Sequence, residues 1–336
     1  MAATVNEVSS PPRRQSSGGW RVIAGKELTD HLISVRFFIL IAIMGLSAIA
    51  AVYSAAGGIR EASSAIDSDF PGLFLKLFTI QPEGSRIPPF FALVALLGPL
   101  FGIAFGFDAV NGERSQGTLP RLLSQPIHRD DVINGKFVAG LSVIGIVLVS
   151  LSMIVAGVGI IRIGVTPSLS ELIRLVGFLV VSIVYIGFWL ALSSLFSVVL
   201  RKASTSALAA IAAWLVASLF ALLLVGIVAD IVSPLPEGPT IEEAIANAKT
   251  QRNLSFIFPQ SLYQEATVAL LEPEQRTFNI LGLLSLQDPS SGAIRGPLSL
   301  EQSLSIVWPQ VTGLVALTVL CFAGAYVAFM RQEVRA

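Results

Sequence analysis

Six stretches of this chain are apolar and long enough to cross a lipid bilayer, and that constrains the fold more than any other feature. A helix needs about 20 residues to span the hydrocarbon core. The stretches lie near residues 37–56, 89–110, 137–161, 175–200, 203–229 and 303–330. Composition agrees with lipid as the solvent. Hydrophobic residues make up 54% of the chain and charged residues 13%, where a soluble domain carries about 25% charged. A soluble fold this apolar could not cover its own surface. The expected fold class is therefore an all-α membrane protein with six transmembrane helices.

The rest of the chain organises around those spans. Residues 1–19 are polar and rich in Ser, Pro and Gly, which predicts a disordered tail. The first span is too long, and begins too late, for a signal peptide, so it reads as a retained helix. Arg201 and Lys202 alone separate the fourth and fifth spans, which predicts a tight turn there. With the N-terminus inside, the inner segments hold 13 Lys and Arg in about 70 positions and the outer segments 9 in about 118. This density bias follows the positive-inside rule and predicts both termini in the cytoplasm.

Several chemistries are excluded. The formal net charge is +0, so there is no nucleic-acid footprint. Cys321 is the single cysteine, which rules out an internal disulfide and a cysteine-based zinc site. No G-x-x-x-x-G-K-[ST], H-E-x-x-H or G-x-S-x-G motif occurs. The outer loops lack His, Cys and Met, which argues against a soft-metal site. No catalytic, cofactor-binding or metal-ligating residue is assigned. No charged residue lies near the middle of a span, unlike the pattern of ion-coupled transporters. Asp108, near the inner end of the second span, reads as a cap or hydrogen-bonding group, and His31 as a surface partner of Glu27.

The polar segments carry the remaining signal. Trp20, Ala24, Leu28, Leu32 and Val35 share one face of an amphipathic helix, with Lys26, Glu27 and Asp30 opposite. Lys26 and Asp30 form an i, i+4 pair. In the loop after the second span, Gly117 and Thr118 mark a helix start, with Pro120 in its first turn. That short helix presents Leu119, Leu122 and Leu123 and stops at Pro126. A further helix begins near His128, where Asp130 and Asp131 suit a positive N-terminal end. In the first outer loop, Phe70, Leu73, Phe74, Leu77 and Phe78 form one apolar helical face, expected to lie on the bundle or in the headgroup region. In the last outer loop, Thr240-x-x-Glu243 and Ser261-x-x-Gln264 fit capping boxes.

The run Gly112-Glu113-Arg114, Gly117-Thr118-Leu119, Leu122-Leu123-Ser124-x-Pro126, Arg129 and Gly135-Lys136-Phe137 resembles the signature of type-2 ABC exporter permeases. Within that family it resembles the branch with the membrane subunits of nitrous-oxide-reductase maturation exporters. Gly25-Lys26-Glu27-Leu28, Leu262-Tyr263-x-Glu265-Ala266 and the ending Phe329-Met330-Arg331-Gln332-Glu333-Val334-Arg335 are similar to further segments of that family. His128 departs from it, since relatives more often carry a small N-cap residue there. The resemblance implies one permease domain over residues 20–336 that dimerises, with itself or a related permease. It implies an N-terminal interface helix containing Trp20, Lys26, Glu27 and Leu28. It also implies a cytoplasmic coupling-helix loop containing Glu113, Arg114, Gly117, Thr118, Leu119, Leu122, Leu123, Ser124, Pro126 and Arg129, and a small helical outer loop between spans 5 and 6. A separate ABC ATPase subunit would bind ATP and Mg. Membrane lipid and an unidentified substrate complete the expected partners. A membrane scaffold or sensor driven by the same ATPase is the alternative, and an intramembrane enzyme a more distant one. Two stripes of small residues favour close helix packing. Gly98, Gly102 and Gly106 are expected within one subunit, and Ala209, Ala213 and Ala217 at a dimer seam.

Overall fold

The computed structural model describes residues 18–62, 72–118, 128–164, 166–236, 238, 240–274 and 298–332. No strand occurs among the described residues, and six helices are long and apolar enough to cross a membrane. The chain is a multi-pass membrane protein. Span 1 is Val35–Ala62, span 2 Phe90–Gly106, span 3 Arg129–Ile163 and span 4 Leu169–Val199. Span 5 begins at Ala203 and ends at Val232, with a π-helical segment at Val216–Phe220. Span 6 is Leu300–Arg331. Only residues 200–202 separate spans 4 and 5, so the chain turns sharply there.

Both ends of the described chain lie at one end of the bundle. The N-terminal helix, Gly19–Leu32, crosses the start of span 3, and Gln332 contacts Arg129 at the same end. This is called the terminal end below, and the opposite one the far end. The N-terminal helix does not bury the apolar face that its sequence marks. Its buried residues are Gly19, Ile23 and Glu27. Val35 is 72% exposed and already belongs to span 1, while Leu28 and Leu32 are half-buried against the core. The physical reason is Gly135. A Cβ there would stand 2.8 Å from Ile23 and 2.9 Å from the Trp20 carbonyl. The helix seats the Ile23 face where span 3 lacks a side chain, and Glu27 follows four residues later.

Span 4 is the hub of the bundle. The glycine stripe of span 2 packs on it backbone to backbone. A Cβ on Gly102 would meet the Ile186 carbonyl oxygen at 2.6 Å and the Leu190 nitrogen at 2.8 Å. Pro99 lies inside span 2, where it removes the N–H that would bond the Ala95 carbonyl. Tyr185 of span 4 replaces it, its hydroxyl lying 3.0 Å from that carbonyl.

Two elements between the spans also join this core. The face from Leu73 to Phe78 is buried, with the Phe78 ring between those of Phe90 and Phe178. It therefore packs in the bundle rather than in the headgroup region. Its helix is only Lys76–Thr79, after a turn at 72–75, and Phe70 lies outside the described residues.

The segment after span 5 is more than a cap. Ile241–Ser255 runs back along span 5, with Asn247 bonded to Asp230 and to the Ser233 carbonyl. The chain then reverses, and Pro259–Leu271 returns along spans 4 and 6. Arg174 bonds the Ala269 and Leu270 carbonyls, Ser182 meets Tyr263, and Tyr185 meets Gln260. That register follows span 4 for about 16 Å at 1.5 Å per residue, as far as its midpoint. These two helices form a re-entrant hairpin. The Thr240–Glu243 capping box is present, with the Thr240 hydroxyl accepting the Glu243 N–H. The Ser261–Gln264 box is not. Ser261 lies inside the returning helix, which starts at Pro259, a residue suited to the first helical position.

Candidate coupling site and transport cavity

The loop between spans 2 and 3 starts where span 2 breaks. Residues 107–110 form a turn, and a short helix, Asn111–Ser115, follows. The turn frees two backbone donors, and the Ser197 hydroxyl on span 4 accepts both, from Val110 at 3.0 Å and Asn111 at 3.1 Å. Gly117 has φ +67°, a conformation that favours glycine. Thr118 then folds back, its N–H donating to the Glu113 carbonyl and its hydroxyl to the Glu113 carboxylate. Span 3 resumes at Arg129, with the His128 N–H donating to Asp131 at 3.2 Å. The coupling-helix residues Leu119, Leu122, Leu123, Ser124 and Pro126, with Pro120, lie outside the described residues.

Charges at the terminal end are paired in a compact network. Lys136, with a 9% exposed side chain, reaches Glu27 at 2.8 Å and Glu113 at 3.4 Å. It thereby joins the N-terminal helix, span 3 and the loop. Lys26 pairs with Asp30 at 3.0 Å. Burial works against the Lys26 charge, yet Asp30 and Glu27 hold its ammonium above the ordinary lysine range. Arg36 meets Asp108 at 2.6 Å and stacks over Phe107. His31 is not a plain surface residue. Its ring lies 4.8 Å from that of Phe105, and burial pushes its imidazole below the ordinary value. Trp20 is half-buried and Leu28 packs on the core, while Glu27, expected on the polar face, is buried against Lys136.

A second cluster at this end escaped the sequence reading. Arg114 donates to the Gln332 side-chain oxygen, and Arg129 donates to the Gln332 carbonyl at 3.0 Å. The Gln332 amide nitrogen donates to the Val198 carbonyl at 2.7 Å. No spacing rule connects residues that far apart in the chain.

Towards the far end, the hairpin, span 2 and span 5 line an open cavity of about 820 Å³. Phe91, Ala95, Ala217 and Ala221 are among its apolar residues. Its polar residues come mainly from the hairpin and include Gln251, Arg252, Gln264 and Glu265. Glu265 is fixed by the Gln310 amide of span 6 at 3.0 Å. The spans themselves lack mid-membrane charge, as their sequence shows. The hairpin nevertheless brings Glu265 and Arg252 to the cavity. That folding-back has no signature in hydropathy. The π-helical segment of span 5 borders the same cavity through Ala217 and Ser218. Among the described residues, no group of three or more His, Cys, Asp or Glu is placed to hold a metal.

The small-residue stripes part company. Gly98, Gly102 and Gly106 all face span 4, where added Cβ atoms would meet Ile186, Leu190 and Ser193. Ala209, Ala213 and Ala217 are half-buried along span 5. The buried positions beside them are Ser206 and Ala210.

A spanning bundle of this kind, with a long polar loop after its second helix, has a counterpart among known families. The profile described as ABC-2 family transporter protein matches residues 21–334. The chain belongs to the ABC-2 transporter family. No curated protein matches it. As an ABC-2 permease it is a membrane component of a transporter, and the match extends over all six spans, the loop and the hairpin.

Proposed function

We propose that this chain is the permease subunit of an ATP-driven exporter, closest to the branch with nitrous-oxide-reductase maturation permeases. It forms the substrate pathway and couples to a separate cytoplasmic ATPase, and it carries no catalytic centre of its own. The observation that carries this reading is the loop between spans 2 and 3. Its two flanks are tied to the bundle at the terminal end by Lys136–Glu113, Arg114–Gln332 and Arg129–Gln332. A partner pressing on residues 119–127 would move spans 2 and 3 directly. The absence of a P-loop in this chain gives the ATP to that partner. The density of Lys and Arg supports a cytoplasmic terminal end, and the resemblance to the exporter permeases supports a prokaryotic plasma membrane.

The cavity supports the substrate side of the reading. Its apolar wall and polar hairpin suit an amphipathic molecule crossing the bilayer. A second copy of the chain, or a related permease, completes the pathway along span 5, of whose apolar window only 11% is buried.

The test is a pull-down in gentle detergent, with mass spectrometry and an ATPase assay. A stoichiometric P-loop ATPase is expected. Replacing Leu122 and Leu123 by Asp should then leave hydrolysis running while transport stops. No ATPase partner, even after crosslinking through the loop, would overturn the proposal and favour a scaffold.

A further inference from the structure

Gln332 stands just past span 6 and holds three other parts of the bundle. Its side-chain oxygen accepts from Arg114, on the near flank of the loop between spans 2 and 3. Its backbone oxygen accepts from Arg129, on the far flank of that loop, at 3.0 Å. Its amide nitrogen donates to Val198, 2.7 Å away, one of the carbonyls left open at the end of span 4. An amide offers donor and acceptor together, which neither a carboxylate nor an ammonium can do. Phe329, one helical turn earlier, is fully buried and carries Arg129 over its ring at 5.9 Å. Both flanks of the loop are therefore fastened to the end of one long helix.

The same helix touches the cavity wall. Gln310 is 1% exposed and donates to Glu265 of the returning helix at 3.0 Å. From Gln310 to Gln332 the helix contains no proline, and at 1.5 Å per residue it covers about 33 Å. Pro309, directly before Gln310, removes a backbone hydrogen bond and is the weakest point of the helix. The piece between the two glutamines can move as one body while the part beyond Pro309 stays with Arg174 through Ser303.

We infer that Gln332 is a positioning residue. It splints the loop to span 6, so that a displacement of the loop is delivered along that span, through Gln310 and Glu265, to the polar wall of the cavity. This rests on the reading of the chain as an ATP-driven permease. The loop then drives the hairpin directly, and not only spans 2 and 3.

The experiment uses the permease with its co-purified ATPase in lipid nanodiscs. Cys321→Ser removes the native thiol, and Gln264→Cys, on the returning helix where it lines the cavity, reports its position by maleimide labelling. Between the nucleotide-free and vanadate-trapped complexes the labelling rate should differ by about tenfold, as expected for a shift between two states. Gln332→Met keeps volume and removes the bonds to Arg114 and Val198 while the backbone bond from Arg129 stays, and should bring that ratio well below its parental value. Gln310→Met should do the same from the other end of the helix. If both variants keep the parental ratio, the inference is overturned. If the parental complex itself shows no nucleotide-dependent change, the ATP-driven reading fails instead. If Gln332→Met does not assemble, Gln310→Met decides, since it lies far from the terminal end.

Discussion

Spans 4 and 5 are neighbours in the chain, both apolar, and joined by three residues. Yet 61% of the apolar window of span 4 is buried inside the chain and only 11% of that of span 5. Span 4 carries the residues that make burial possible. It opposes the glycines of span 2, and it offers Ser182, Tyr185, Ser193 and Ser197 as hydrogen-bonding groups to the helices around it. Span 5 offers Leu208, Leu219 and Leu223, each more than half exposed. Lipid is as apolar as leucine, so hydrophobicity alone does not draw one spanning helix to another. Close backbone approach and polar bonds do. The two spans differ in those features and not in apolarity.

The largest break in this comparison is Gly102→Leu. The added side chain would meet the backbone of Ile186 and Leu190, which cannot yield as a side-chain tip can. The cost should exceed the about 1–3 kcal/mol typical of overpacking. Size-exclusion chromatography in detergent should show aggregate where the parent is monodisperse. Gly157→Ala in span 3 meets nothing within 4 Å and should elute as the parent does. A well-folded Gly102→Leu protein would show that spans 2 and 4 are not locked together.

A smaller break is Arg174→Met. Arg174 is 5% exposed and its guanidinium donates to Leu298, Ala269, Leu270 and Ser303, so it clamps the hairpin and span 6 to span 4. Hydrogen bonds to a charged donor are worth about 1.5–3 kcal/mol. A clear drop in thermal midpoint is expected, and Arg174→Lys should restore little of it, since an ammonium lacks the planar fork. Tyr185→Phe should cost less, about 1–2 kcal/mol, because it strands the Ala95 carbonyl that Pro99 leaves open.

These residues also mark how far the sequence could be read. Hydropathy placed the six spans, since a run of some 20 apolar residues has few alternatives. The break at Gly117, the start of span 3 and the Thr240 cap were legible because each is local chemistry. The hairpin was not. Asn247, Gln260 and Tyr263 lie in a polar stretch that reads as an outer loop, and only their partners Asp230, Tyr185 and Ser182 show its depth. The N-terminal helix misled for a related reason. Its apolar stripe is real, but the notch at Gly135 selected the Ile23 face instead. Gln332 and Arg174 act on residues far away in the chain, and one sequence holds no trace of such pairings.

The smallest expected effect bears most directly on span 5. Leu208→Ala and Leu219→Ala alter side chains that are 67% and 65% exposed. In lipid they lose no packing within the chain, so stability should stay within about 0.5 kcal/mol of the parent, as for ordinary surface substitutions. Leu190→Ala in span 4, the same chemical change at a 1% exposed site, should cost about 2–5 kcal/mol. Thermal unfolding of the three proteins in one detergent gives the contrast. Crosslinking in native membranes then separates the two roles that an exposed face can have. A lipid-facing span 5 would leave the dimer fraction unchanged in both variants. A span 5 that packs on a second copy would lower it, with the thermal midpoint of the isolated chain unmoved. A loss of stability as large as that of Leu190→Ala would mean that span 5 is held within its own chain, and that the contrast between the two spans is wrong.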